Sequence, residues 1–277
     1  MKLIRLFLIV AALLTANITF AHAVTEEKPA CPCGESGCTA GKHLFLDLGT
    51  GFYKNYLCST SGALAYSRPV FQGFGKLTYM TPNFEVYVKT WGSKIIVSDG
   101  GKFGGDEWDQ IIAGIAFPVW KFKVDLGYGY YDLHPQFRAK GDLHGFFGTV
   151  SFPNKWVEPY LTVEYDVPTV KQALEGGWYY RAGLMRCFNL RKNLTLILDA
   201  SFGGNDGPFG AKPDFVDLVR GLATVEWKPF ESCKNFTLAA TGGYQLRTGR
   251  RTLKGGLAPD SVIANIEAKW RFDLLGK

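Results

Sequence analysis

The stretch Val262-Ile263-Ala264-Asn265-Ile266-Glu267-Ala268-Lys269-Trp270-Arg271-Phe272 decides the fold. Every second residue, Val262, Ala264, Ile266, Ala268, Trp270 and Phe272, falls on one apolar face that ends in aromatics. Asn265, Glu267, Lys269 and Arg271 fall on the other face, together with Ile263. Side chains of a strand alternate between faces, so this pattern specifies a β-strand with one face in an apolar medium and one in a polar medium. Near the carboxyl end of a chain with many similar segments, it is the form expected of a bacterial outer-membrane β-barrel.

The amino terminus supports an exported chain. Met1, Lys2 and Arg5 form a basic region, Leu6 to Leu14 an apolar one, and Ala21-His22-Ala23 a small-x-small cleavage site. Residues 1–23 therefore read as a signal peptide, with Val24 as the mature start. The apolar run is too short to span a bilayer comfortably, and no later stretch is longer. The mean hydropathy of -0.02 suits a barrel, which places lipid-facing residues one in two along each strand. The 33 glycines and 15% aromatics favour strands and turns over helices. The formal charge of +6 includes Lys2 and Arg5 and is otherwise spread along the chain, so nucleic-acid binding is not suggested.

Alternation predicts a single all-β domain, an antiparallel transmembrane β-barrel of about 12 strands over 43–272. A cysteine-containing periplasmic segment, 24–42, precedes it, and a short tail, 273–277, follows. The strands read as 43–53, 70–80, 83–97, 107–117, 119–132, 142–152, 157–167, 177–188, 193–203, 215–228, 235–247 and 261–272. In the fifth, Trp120, Phe122, Val124, Leu126, Tyr128 and Tyr130 oppose Lys121, Lys123, Asp125, Gly127 and Gly129. Connections sort by length: Thr81-Pro82-Asn83, 117–120, 153–155, 189–192 and 229–234 are compact, whereas 54–69, 98–106, 133–141, 168–176, 204–214 and 248–260 are mostly longer and richer in Gly, Pro and charge. Short periplasmic turns and long external loops produce that asymmetry, which a soluble sandwich has no reason to adopt.

Several motifs carry a family resemblance. Ser67-Arg68-Pro69-Val70-Phe71-Gln72-Gly73, Trp91-Gly92-Ser93, Glu107-Trp108-Asp109 with Gly114, Asp125-Leu126-Gly127-Tyr128 and Tyr130-Tyr131-Asp132 resemble the TorF family of porins. These positions cover the first half of the chain. Leu133-His134-Pro135 stands where that family has a tyrosine-proline ending. The resemblance implies an outer-membrane porin.

Enzymatic chemistry is not expected. Barrel lipases and deacylases need a nucleophile beside a general base, and His43, His134 and His144 are the histidines left after signal removal. Ser151 lies seven residues from His144, about 23 Å along a strand. No cofactor or metal is expected. Asp106, Glu107 and Asp109 beside Gly100-Gly101 and Gly104-Gly105 could suit calcium, but a solvated acidic strand end is the simpler reading, and the spacing matches no EF-hand.

Six cysteines, Cys31, Cys33, Cys38, Cys58, Cys187 and Cys233, read as disulfide candidates in an oxidising compartment. Cys31-Pro32-Cys33 with Cys38 is not a standard zinc spacing. Cys187 and Cys233, both assigned to periplasmic turns, are expected to pair, with pairing to Cys31, Cys33 or Cys38 as the alternative.

Twelve strands about 4.8 Å apart and tilted about 40° enclose a backbone diameter near 24 Å, leaving roughly 12 Å inside the side chains. The expected pore-lining charges are Asp47, Lys76, Glu85, Lys89, Lys123, Asp125, Glu164, Arg181, Asp199, Arg220, Glu226, Arg247, Glu267 and Lys269, in which the signs nearly cancel. Arg250, Arg251 and Lys254 concentrate positive charge in the last external loop, suited to lipopolysaccharide phosphates or to a pore-mouth field. The function expected is passive diffusion of small polar solutes through the bacterial outer membrane. The alternative is a plugged barrel acting as anchor, scaffold or adhesin. The sequence leaves the solute and the oligomeric state open.

Overall fold

The computed structural model describes residues 41–57, 64–66, 69–95, 108–132, 142–169, 176–206, 214–230, 233, 235–248 and 260–275. Fourteen strands occur among them: β1 (His43–Tyr53), β2 (Tyr56–Leu57), β3 (Leu64–Tyr66), β4 (Val70–Met80), β5 (Glu85–Ile95), β6 (Trp108–Val119), β7 (Phe122–Asp132), β8 (Leu143–Ser151), β9 (Glu158–Pro168), β10 (Gly177–Arg191), β11 (Leu194–Asn205), β12 (Asp214–Trp227), β13 (Phe236–Arg247) and β14 (Ser261–Asp273). Twelve close into an antiparallel barrel in which β1 pairs with both β4 and β14. The other two, β2 and β3, form a small hairpin in the connection after β1. No described helix is long and apolar enough to cross a membrane.

Following the cross-strand register once around the ring shifts it by about 16 residues. For twelve strands that shear corresponds to a tilt of about 43° and a backbone radius of about 12 Å. The register also sorts the two faces. Leu48, Phe52, Val86, Val88, Ile111 and Ile266 are well exposed on the outside, Val88 to 50% and Ile266 to 63%. Asp47, Glu85, Lys89 and Glu267 occupy the opposite parity. An apolar outer belt on a closed ladder is what a hydrocarbon solvent requires, because the ring satisfies every strand's backbone without an edge.

Turn chemistry closes one end. The Thr81 hydroxyl accepts hydrogen bonds from the backbone N–H groups of Asn83 and Phe84, and the Asn154 side-chain oxygen accepts those of Trp156 and Val157; both are side-chain-stabilised turns. The β6–β7 turn corrects the sequence reading. Trp120 adopts a positive φ of 55° and is 80% exposed, so it sits in a two-residue turn while the strand begins at Phe122. Alternation alone had placed it on the apolar face, because a turn tryptophan at a membrane interface has the same chemistry as a lipid-facing one. Trp120 and Trp156, with Lys121 and Lys155 stacked at 5.3 Å over their respective rings, line this turn end. The strand ends Ile95 and Trp108, Asp132 and Leu143, and Arg247 and Ser261 lie at the opposite end.

The outer belt predicts a depth-dependent penalty. Val88→Arg, in the middle of β5, should destabilise the barrel by about 2–4 kcal/mol in reversible unfolding from liposomes. The same change at Trp156, at the turn end, should be nearly neutral. Equal penalties would deny that this belt contacts lipid. A cysteine introduced at Asp206 should react with an impermeant reagent on whole cells, and one at Asn154 should not.

Candidate functional site: the inner wall

The inner wall is built from inward positions of all twelve barrel strands, and charged pairs and tyrosines dominate it. At the seam, Arg271 on β14 donates from Nε to Asp47 Oδ1 at 2.6 Å and from a terminal nitrogen to Oδ2 at 3.2 Å. This fork joins the last strand to the first. Nearby, Lys269 reaches Glu226 at 3.3 Å and Glu267 at 3.0 Å, and Tyr53 donates to Glu267. Lys123 lies 3.3 Å from Glu85. Lys76 sits 4.5 Å above the Tyr87 ring and Lys89 5.8 Å from that of Phe74. On the loop side, Arg247 lies 3.6 Å from Asp217, and Arg220 and Gln245 are buried.

A second pattern links strands that are not neighbours. Tyr87 on β5 lies over Gly114 on β6 and donates to both oxygens of Asp125 on β7, at 2.9 and 3.2 Å. Tyr160 on β9 lies over Gly183 on β10 and donates in the same way to Asp199 on β11, at 2.9 and 3.1 Å. Tyr131 on β7 crosses Gly145 on β8 to reach Glu164 on β9 at 2.6 Å. In each case the glycine is needed for close approach: a Cβ at Gly114 or Gly183 would lie 2.5 or 2.6 Å from the tyrosine above it. The guanidinium of Arg181 stands 5.8 Å over the Tyr160 ring.

Of the residues singled out in the sequence, Asp106, Glu107, His134, Arg250, Arg251, Lys254 and the cysteines at 31, 33, 38 and 58 lie outside the described residues. His144 faces outward, 2.6 Å from the Tyr128 hydroxyl, while the register sets Ser151 on the inner face opposite Tyr160. No group of three metal-ligating side chains occurs among the described residues. Arg271, Tyr87, Tyr131, Tyr160 and Asp166 belong to the inner wall and were missed. Parity would have included Arg271 and Asp166; the tyrosine bridges depend on next-but-one strands, which no single-strand period reports.

The cysteines require a correction. The expected Cys187–Cys233 disulfide does not form: Cys233 is an exposed free thiol, whereas Cys187 is disulfide-bonded, with a partner outside the described residues. β10 continues to Arg191, so Cys187 lies within the strand opposite Ile197, on the inner face, and not in a turn. Cys233 belongs to a connection beyond two intervening strands, about 10 Å away in the pairing direction alone, wider than a disulfide allows.

No family model matches the chain, and no curated protein matches it. Among solved structures it is similar to the KdgM porin, with a TM-score of 0.48 and 8% identity over 82% of this chain and 99% of that one. It is similar to the NanC porin, with a TM-score of 0.49 and 11% identity over 81% of this chain and 98% of that one. An outer membrane channel from Pseudomonas putida F1 gives a TM-score of 0.49 and 9% identity over 91% of this chain and the whole of the other.

The tyrosine bridges predict matched losses. Tyr87→Phe and Tyr160→Phe should each lower unfolding stability by about 1.5–3 kcal/mol, because each removes a hydrogen bond to a carboxylate. Gly183→Val should cost at least as much by displacing Tyr160. Non-reducing peptide mapping should find Cys187 joined to a cysteine other than Cys233, which should alkylate without reduction.

Proposed function

We propose that this chain is a passive channel for small polar solutes in the bacterial outer membrane. One observation carries the reading: a closed twelve-strand wall, apolar outside, presents charged and hydroxyl-bearing side chains inside at a backbone radius of about 12 Å. A folded soluble protein would bury apolar groups there and expose charge. The fourteen charges from Asp47 to Lys269 occupy inward register positions, and we assign them as pore-lining. Their signs balance, so the wall itself supplies no strong anion or cation filter. The motif resemblance to the TorF porins agrees with this reading. Arg250, Arg251 and Lys254 are proposed as the source of any anion preference at the external mouth, or as contacts to lipopolysaccharide phosphates.

A second reading, a barrel closed by its own amino-terminal segment, draws on the oxidised Cys187. β1 and β10 lie five strands apart in the ring of twelve, so a straight line across the interior from His43 to Cys187 is about 23 Å. Cys38, five residues before His43, can extend about 17 Å, which with a disulfide's own Cα–Cα span of about 5.5 Å matches that line, whereas Cys58 follows the opposite end of β1. Cys31 and Cys33 have about 33 Å of chain or more. A bond from Cys31, Cys33 or Cys38 to Cys187 would tie the amino-terminal segment across the turn end of the interior.

Single-channel recording of refolded protein in planar bilayers tests both. Step conductance in oxidised protein supports the channel, and its absence rejects that reading for the oxidised form. Conductance that rises on reduction, and is constitutively high in Cys187→Ser, supports the amino-terminal closure. If the external arginines act on permeation, neutralising Arg250 and Arg251 should lower anion preference at low salt and have little effect at high salt.

A further inference from the structure

We propose that Glu164 and Asp166 bind a hard divalent cation of the calcium class on the inner wall near the loop end. The two carboxylates stand two residues apart on β9 and share its inner face. Asp166 has glycine on both flanks, Gly145 on β8 and Gly177 on β10, so no side chain of a paired neighbour covers it. A Cβ placed on Gly145 would lie 3.0 Å from Glu164 Oε1, 3.1 Å from Asp166 Oδ1 and 2.6 Å from the Tyr131 ring. These three groups therefore converge on one notch, and the two carboxylate oxygens lie within about 6 Å of each other. Calcium held at about 2.4 Å by each needs about 5 Å, a difference that side-chain rotation supplies.

The notch is deficient in positive charge. Glu164 is 9% and Asp166 7% exposed. Tyr131 donates to Glu164, but Asp166 Oδ1 is buried without a hydrogen-bond donor. Among the described residues, neither carboxylate forms an ion pair with lysine, arginine or histidine. Arg181, on the neighbouring strand, is stacked over the ring of Tyr160. Two adjacent buried carboxylates with one unsatisfied oxygen need a counter-charge. A hard cation supplies it and accepts water and carbonyl oxygen for its remaining ligands, and calcium tolerates such irregular geometry better than magnesium. Binding would neutralise the acidic pair at the loop-end mouth, and it requires no conduction.

Terbium luminescence sensitised by Tyr131 reads the site directly in detergent-folded protein. Wild type should give a terbium signal displaced by calcium. Asp166→Asn and Glu164→Gln should each weaken terbium binding by about tenfold or more, or about 1.4 kcal/mol. Glu158→Gln, another buried inner-face acid of β9, should leave it unchanged. Tyr131→Phe should dim the luminescence while calcium still competes in a radioisotope assay. Folding of each variant is checked by heat-dependent migration. A wild-type protein without a calcium-displaceable signal overturns the proposal, as does an identical titration in folded Asp166→Asn; the pair then shares a proton. The wild-type result decides the matter even where a variant fails to fold.

Discussion

Closure of the strand ring is the constraint from which the rest of the structure follows. Inside hydrocarbon, each unpaired N–H or C=O loses its water partner, so a sheet can cross a membrane only if its first and last strands meet. Here β1 and β14 supply that seam, and side chains reinforce it from within: Arg271 forks onto Asp47, and His43 meets Asp273 at 2.7 Å. Given closure, the alternation becomes obligatory. Every strand has one lipid-facing and one interior face, and a slip of one residue would turn Lys89 outward and Val88 inward.

That obligation explains what was readable in the sequence. Val262–Phe272, apart from Ile263, and Phe122–Tyr130 state the period without interruption, and twelve such segments imply a ring of the size observed. What escaped detection lies where periodicity carries no information. Trp120 belongs to a turn, although its chemistry is that of the adjoining face. Cys187 was counted with a turn although the expected strand 177–188 already contained it, and β10 runs on past it to Arg191. The tyrosine bridges need knowledge of which strands sit two places apart, and the glycines that permit them look like turn-formers in the linear chain. Arg271 and Asp166 were visible by parity and needed only stricter counting.

The interior charges are organised in local groups, within a strand, between adjacent strands or across one intervening strand. Lys123 answers Glu85, Lys269 answers Glu226 and Glu267, and Arg271 answers Asp47. Such pairing keeps a polar wall hydrated without a large net field, and exposed members of these pairs contribute little to stability individually. The loop-side acids on β9 depart from that arrangement. Glu164 and Asp166 therefore mark a place where the wall's charge depends on what occupies it.

The tyrosine bridges also have a mechanical consequence. Each ties strand n to strand n+2, so it acts as a chord inside the ring as well as a hydrogen bond. Together they stiffen the arc from β5 to β11 against flattening. No described tyrosine chord of this kind spans β11 to β13, and there Gly221 and Gly242, at outward register positions, leave the outer face bare of side chains. A lateral load from the bilayer would therefore bend the cylinder unevenly. The tube would ovalise about the glycine-bearing arc, changing its bore from one side while the braced side keeps its curvature.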